Sequence, residues 1–231
     1  LSGNLTREKQ VIPTTNVLWA GTYATSGDYY FELIDNTLGT GAGVIPEPYG
    51  GPVAGTVGYI EAETPDNISI NALAGAPGMQ FISTVGDGMD SINTSATPGG
   101  NILDGGYTSS FLTGSAAGTP DIFYVNFFAA IKGNIWTTVV NFHAGDTATL
   151  WDYPGQKFDV TWLASEGAPG FAGVTAVFTT EQGTLGAVTF AGITQAQREA
   201  GAFTFAYGST PWQSAQMGTS YVTITSHASP S

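Results

Sequence analysis

The stretch Ile122-Phe-Tyr-Val-Asn-Phe-Phe-Ala-Ala-Ile131, then Lys-Gly-Asn, then Ile135-Trp-Thr-Thr-Val-Val-Asn-Phe142, decides the fold class. Both runs are rich in β-branched and aromatic residues and are apolar at odd and even positions alike. A strand covered on both faces has this pattern, so the pair is expected to lie centrally in its sheet. Beyond the His143-Ala-Gly-Asp146 break, Thr147–Tyr153 and Lys157–Leu163 continue in the same style. Strand-like runs cut by Gly, Pro, Asn and Asp are a strand-and-turn signature.

Working outward toward the N-terminus, Thr22–Thr25 and Tyr29–Ile34 flank Ser26-Gly27-Asp28 and predict a hairpin. Short strands are expected at Gly55–Glu63, Ile68–Leu73 and Met79–Val85. Two Gly/Pro-dense tracts, 35–52 and 86–118, read as long loops, and loops of that length in a compact domain mark function or an interface. Toward the C-terminus, Gly173–Thr180, Gly186–Phe190, Ala202–Tyr207 and Ser220–Ser226 are strand candidates. Thr194-Gln-Ala-Gln197 has the form of a capping box and Gly201 suits a helix stop, which predicts one short helix near 194–200. No internal repeat of fixed period stands out. The expected fold is all-β: an antiparallel β-sandwich or jelly-roll-like domain of about a dozen short strands over 13–231, preceded by an extended arm over 1–12.

Composition narrows the partners. Of 231 residues only 10% are charged, with five Lys+Arg against 18 Asp+Glu and a net charge of −13. Nucleic acid and anionic lipid both need clustered cations, so neither is an expected partner. No apolar run reaches the ~18 residues of a membrane helix, so no membrane span is expected. Plentiful Ser and Thr with no cysteine fit an extracellular or cell-surface protein whose durability does not come from disulfides.

Each chemical candidate has a plain structural counterpart. His143 and Asp146 are the residue types of a nucleophile-activating pair, but Gly-Asp before a strand is first of all a turn. Glu61 and Glu63 share one face of a strand about 6–7 Å apart, a spacing that suits paired carboxylates or a solvated edge; Glu166 with Glu181 is a second pair. Asp87, Asp90 and Asn93, beside Gly86 and Gly88, are candidate ligands for a structural calcium, without the EF-hand spacing. With two His and no Cys, no other cofactor is expected. Asn4, Asn67 and Asn93 head N-glycosylation sequons. Trp136, Trp151 and Trp162 are expected in the core, whereas Trp212 and Tyr49 fall in loops and are candidate contacts for a glycan or a partner. Lys132 and Lys157, at strand ends, are candidates for an isopeptide cross-link.

The two ends suggest assembly. Leu5, Val11 and Ile12 are the apolar points of the arm, and Tyr221, Val222 and Ile224 belong to a cleanly alternating last strand, expected at a sheet edge. An open edge invites a strand from a neighbour, and such a head-to-tail contact propagates. The expected function is therefore a non-enzymatic extracellular structural protein, a self-partnering subunit of a pilus-like filament or surface layer joined by β-strand complementation. The alternatives are a carbohydrate-binding, lectin-like module, a viral capsid protein, and a secreted carboxylate-dependent hydrolase.

Overall fold

The computed structural model describes residues 19–23, 30–35, 43–45, 51–53, 57–63, 68–72, 79–85, 89–105, 109–126, 135–154, 159–181, 183–211 and 218–230. Side-chain environments are described for 89–105, 109–125, 135–150, 159–181, 183–208 and 221–230. The arm 1–12, with Leu5, Val11 and Ile12, lies outside these residues.

The chain is mostly strand. Its first part lays down β1 (Trp19–Tyr23), β2 (Tyr30–Asp35), β3 (Gly43–Ile45), β4 (Gly51–Val53), β5 (Val57–Glu63), β6 (Ile68–Ala72) and β7 (Met79–Val85). The middle adds β8 (Asp90–Asn93), β9 (Ile102–Asp104), β10 (Ser110–Thr113), β11 (Ile122–Asn126), β12 (Ile135–Val140) and β13 (Thr147–Pro154). The end carries β14 (Asp159–Glu166), β15 (Gly173–Thr180), β16 (Gly183–Ala191), the helix α1 (Gln195–Glu199), β17 (Phe203–Pro211) and β18 (Gly218–Ser226).

Two eight-stranded sheets result. Sheet A runs β1-β6-β8-β10-β12-β16-β15-β14, and sheet B runs β17-β18-β13-β11-β9-β7-β5-β2. From β5 to β13 the chain alternates strictly between them, and each strand lies beside the one laid down a turn earlier. All of those neighbours are parallel. Parallel neighbours need a long crossover; here the strand in the opposite sheet is the crossover, so the chain winds as a two-strand-per-turn coil.

This departs from the expected antiparallel sandwich. Antiparallel pairs occur at the two ends and in the separate β3–β4 pair. The expected hairpin at 22–34 does not form: β1 pairs with β6 in sheet A and β2 with β5 in sheet B. The tract 86–118, expected as loop, holds β8, β9 and β10, and the tract 35–52 holds β3 and most of β4. Within 86–118, Gly99, Gly100 and Gly118 take positive φ where the chain turns between strands.

Inward residues of both sheets meet in one apolar cluster, with Ile92, Leu112 and Val139 from sheet A and Leu103, Phe123 and Leu150 from sheet B. The pair β11 and β12 is central, as expected, but one strand lies in each sheet. Their burial is less complete than their apolar composition implied: Phe123 is buried, Tyr124 is half-buried and Trp136 is 42% exposed. At the C-terminal end the coil gives way to antiparallel returns. There Trp162 of β14 stacks on Phe203 of β17 at 5.4 Å and 9°, linking the outermost strands of the two sheets. The helix forms as its capping box dictates: the Thr194 hydroxyl accepts from Gln197 N–H, the Gln197 side chain accepts from Thr194 N–H, and Gly201 follows at φ +92°.

Candidate functional site

The corner where the chain passes from sheet A to sheet B holds a connected group of buried polar side chains. Asn101, Asp121 and Asp146 each stand immediately before a sheet B strand, at one position of three successive turns. Asp121 Oδ1 accepts from Asn101 N–H at 2.8 Å and Asn101 Nδ2 at 2.7 Å; its Oδ2 accepts from Ser115 N–H at 2.6 Å and Ser115 Oγ at 2.8 Å. Asp146 repeats the device, taking Asp121 N–H on Oδ1 at 2.8 Å and His143 N–H on Oδ2 at 2.7 Å. Asn101 Oδ1 ends this ladder, buried and with no hydrogen-bond partner among the described residues.

This settles what the His143–Asp146 motif does locally. Asp146 N–H donates to His143 O at 3.1 Å, closing a turn, and both carboxylate oxygens serve backbone donors. The His143 ring stands 4.0 Å from Asp146 Oδ2. Burial pushes the Asp146 carboxyl up to about 6, against the opposing pull of the backbone N–H groups of Asp121 and His143. An acid used this way braces a turn.

The other carboxylates are placed by backbone register. Backbone register sets Glu61 opposite Glu32 and in line with Ser83, Asp104 and Tyr124 along sheet B. Tyr124 is pushed up to about 12 by burial, then by the charge of Asp104 and by Tyr221. Glu63 lies two positions along β5, level with Tyr30 and Val85. Glu166 and Glu181 sit at opposite ends of the β14–β15 pair, so that proposed pair is not brought together.

Of the calcium candidates, Asp87 lies outside the described residues. Asp90 is buried and Asn93 is half-buried, at alternating positions of β8, so they occupy opposite faces of the strand. The Asn93 side chain accepts from Ser95 N–H at 2.9 Å. Among the described residues no group of three or more His, Cys, Asp or Glu is arranged to hold a metal. Asn4, Asn67, Tyr49, Trp212, Lys132 and Lys157 lie outside the described residues; Trp151 is placed in β13 by its backbone.

The outer face of sheet A differs in character. Register aligns Thr22, Ser69, Ser91, Phe111, Thr138, Thr189, Thr175 and Leu163 across all eight strands, a row rich in hydroxyls and without a charge. Trp136, expected in the core, stands on this face with its indole N–H donating to Thr189 Oγ1 at 2.8 Å. The correction has a local cause: the burial pattern of β12 faces Ile135, Thr137 and Val139 inward and leaves the intervening Trp136 outside. Trp162 does pack against the core, as expected, with Arg198 5.4 Å over its ring.

The last strand is not an edge. β18 lies between β13 and β17, with Val222 and Ile224 fully buried and Tyr221 half-buried. Clean alternation reported one buried face correctly; it carries no information about whether a later return covers the strand's flank, and here β17 does. The outer strands at this end are β14 and β17. No protein-family model, curated protein or solved structure matches the chain. Among the described residues no helix is long and apolar enough to cross a membrane.

Proposed function

We propose that the chain is a non-enzymatic structural subunit of an extracellular assembly, its copies joined by β-strand complementation. In this reading the two sheets pack as layers around the shared core, and the acceptor edge is β17. The observation that carries the proposal is that β17, Phe-Thr-Phe-Ala-Tyr-Gly-Ser-Thr-Pro, is a nine-residue outermost strand without a charged residue, and its Tyr207 is 66% exposed. Edges that stay solitary are usually short, charged or covered. β14 is better guarded: Asp159 and Glu166 stand at its ends and α1 packs beside it.

The corner ladder supports the same reading. Its carboxylates hold successive turns together, which suits a chain whose task is shape and durability. The donor is the apolar-punctuated arm, Leu5, Val11 and Ile12, of the next copy. Light scattering and negative-stain microscopy test this. The full chain forms oligomers or filaments, and Tyr207→Lys or deletion of residues 1–12 returns it to monomers with unchanged circular dichroism. A full chain that stays monomeric at high concentration sinks the proposal.

A further inference from the structure

We infer that the outer face of sheet A is a binding platform for an uncharged polysaccharide, with Trp136, Phe111 and Phe171 supporting its sugar rings. Sugar rings stack their C–H faces on aromatic rings that are rigid, accessible and bordered by hydrogen-bonding groups. The first two conditions are met at Trp136 and Phe171, and the half-buried Ser91 stands beside Phe111 in register to supply the third.

Rigidity comes from specific contacts. The Trp136 indole N–H is tied to Thr189 Oγ1 at 2.8 Å, and Thr189 Oγ1 lies 2.7 Å from Thr175 Oγ1. Trp136 N–H itself donates to Ser109 Oγ at 3.0 Å. Phe171 meets Phe111 edge-on, with centroids 4.7 Å apart and planes at 83°. It is delivered by the β14–β15 connection, where Gly167 and Gly170 have φ of +130° and +86°. A Cβ at Gly167 would stand 3.1 Å from Thr189 Cγ2 and within 2.7 Å of Phe171 O, so the connection lies down on the sheet. That explains why Thr175 and Thr189, on the outer face, are fully buried.

Accessibility remains where it counts, with Trp136 42% and Phe171 39% exposed. Register sets Trp136 one strand over and two residues along from Phe111, roughly 8 Å apart, a span comparable to a short oligosaccharide. Charge selects the ligand class. The rows through Phe111 and through Trp136, Ala187, Val177 and Thr161 hold no charged residue, although the chain carries a net −13. A neutral, hydroxyl-rich polymer matches such a face; a polyanion gains nothing there. The platform is independent of assembly along β17, which edges the other sheet.

Native affinity electrophoresis of the full chain through gels containing hydroxyethylcellulose, glucomannan or soluble starch, with alginate as the anionic comparison, tests the inference. At least one neutral polymer retards the chain and alginate does not. Trp136→Ala and Phe171→Ala each weaken retardation about five- to ten-fold, while Tyr207→Ala leaves it unchanged. Trp136→Phe, which keeps a ring in place, retains part of the effect and guards against a misfolded variant. No retardation by any of the three neutral polymers, retardation by alginate alone, or retardation indifferent to both alanine variants overturns the inference. So does self-association through this face, lost in Trp136→Ala, with no retardation.

Discussion

Asp146 Oδ1 accepts the backbone N–H of Asp121 at 2.8 Å, 25 residues earlier in the chain, and Asp121 Oδ1 does the same for Asn101 at 2.8 Å, 20 residues earlier. Each carboxylate thus supplies an acceptor where the chain swings from one sheet to the other. A buried backbone donor without a partner costs about 1–3 kcal/mol, so this corner is where the winding is most exposed to error.

Asp121 is the member with most at stake, since four donors converge on it. Asp121→Ala leaves the N–H groups of Asn101 and Ser115 buried without acceptors and destabilises by about 3 kcal/mol or more. Denaturant unfolding monitored by Trp fluorescence reads this as a lower midpoint at unchanged slope. A loss under about 0.5 kcal/mol, the level of an ordinary surface change, contradicts the ladder.

Asp146 makes stability depend on pH in a direction unusual for a carboxylate. Burial raises it from 3.8 to about 6, so between those values the folded chain binds its proton more tightly than the unfolded chain. The contribution of this group is fully present below about pH 4, falls as pH rises, and levels off above about pH 6. Asn cannot titrate, so the Tm of the protein minus that of Asp146→Asn shrinks between about pH 4 and about pH 6.5. A difference that grows or stays constant over that window refutes the assignment.

Two glycines let adjacent turns touch. A Cβ on Gly118, at φ +123°, would run into Pro98 O, and one on Gly99, at φ +89°, into Thr119 O. These are the places where Thr119 N–H reaches Pro98 O at 3.1 Å and Gly100 N–H reaches Thr119 O at 2.9 Å. Gly118→Ala therefore costs about 2–3 kcal/mol, whereas Gly183→Ala, where a Cβ meets nothing within 4 Å, loses only what its positive φ costs. Paired thermal melts check the ranking, and equal losses contradict it.

Local elements were legible because their signals are local. Strands expected at Gly55–Glu63 and Met79–Val85 form at Val57–Glu63 and Met79–Val85, and the Thr194 capping box sets its helix. Pairing direction was not legible, because burial periodicity is the same in a parallel and an antiparallel strand. The coil also hides its repeat: Asn101-Ile102, Asp121-Ile122 and Asp146-Thr147 are the recurring pairs, and their spacing changes from 20 to 25. An Asx before a β-branched residue, just after a Gly/Pro turn, was the available signal. Turn chemistry masked it, since Asn and Asp favour turns anyway. The face taken by Trp136 was hidden for a related reason: Ile135 beside it is equally apolar, so the alternation breaks there and does not say which of the two points inward.

Amide hydrogen exchange along β17, followed as the full chain is concentrated, tests the proposed assembly most directly. The account predicts that outward-facing amides within Thr204–Ser209 become protected as oligomers form, and that Tyr207→Lys abolishes this protection. Oligomers that appear while β17 exchanges as fast as in the monomer would contradict it.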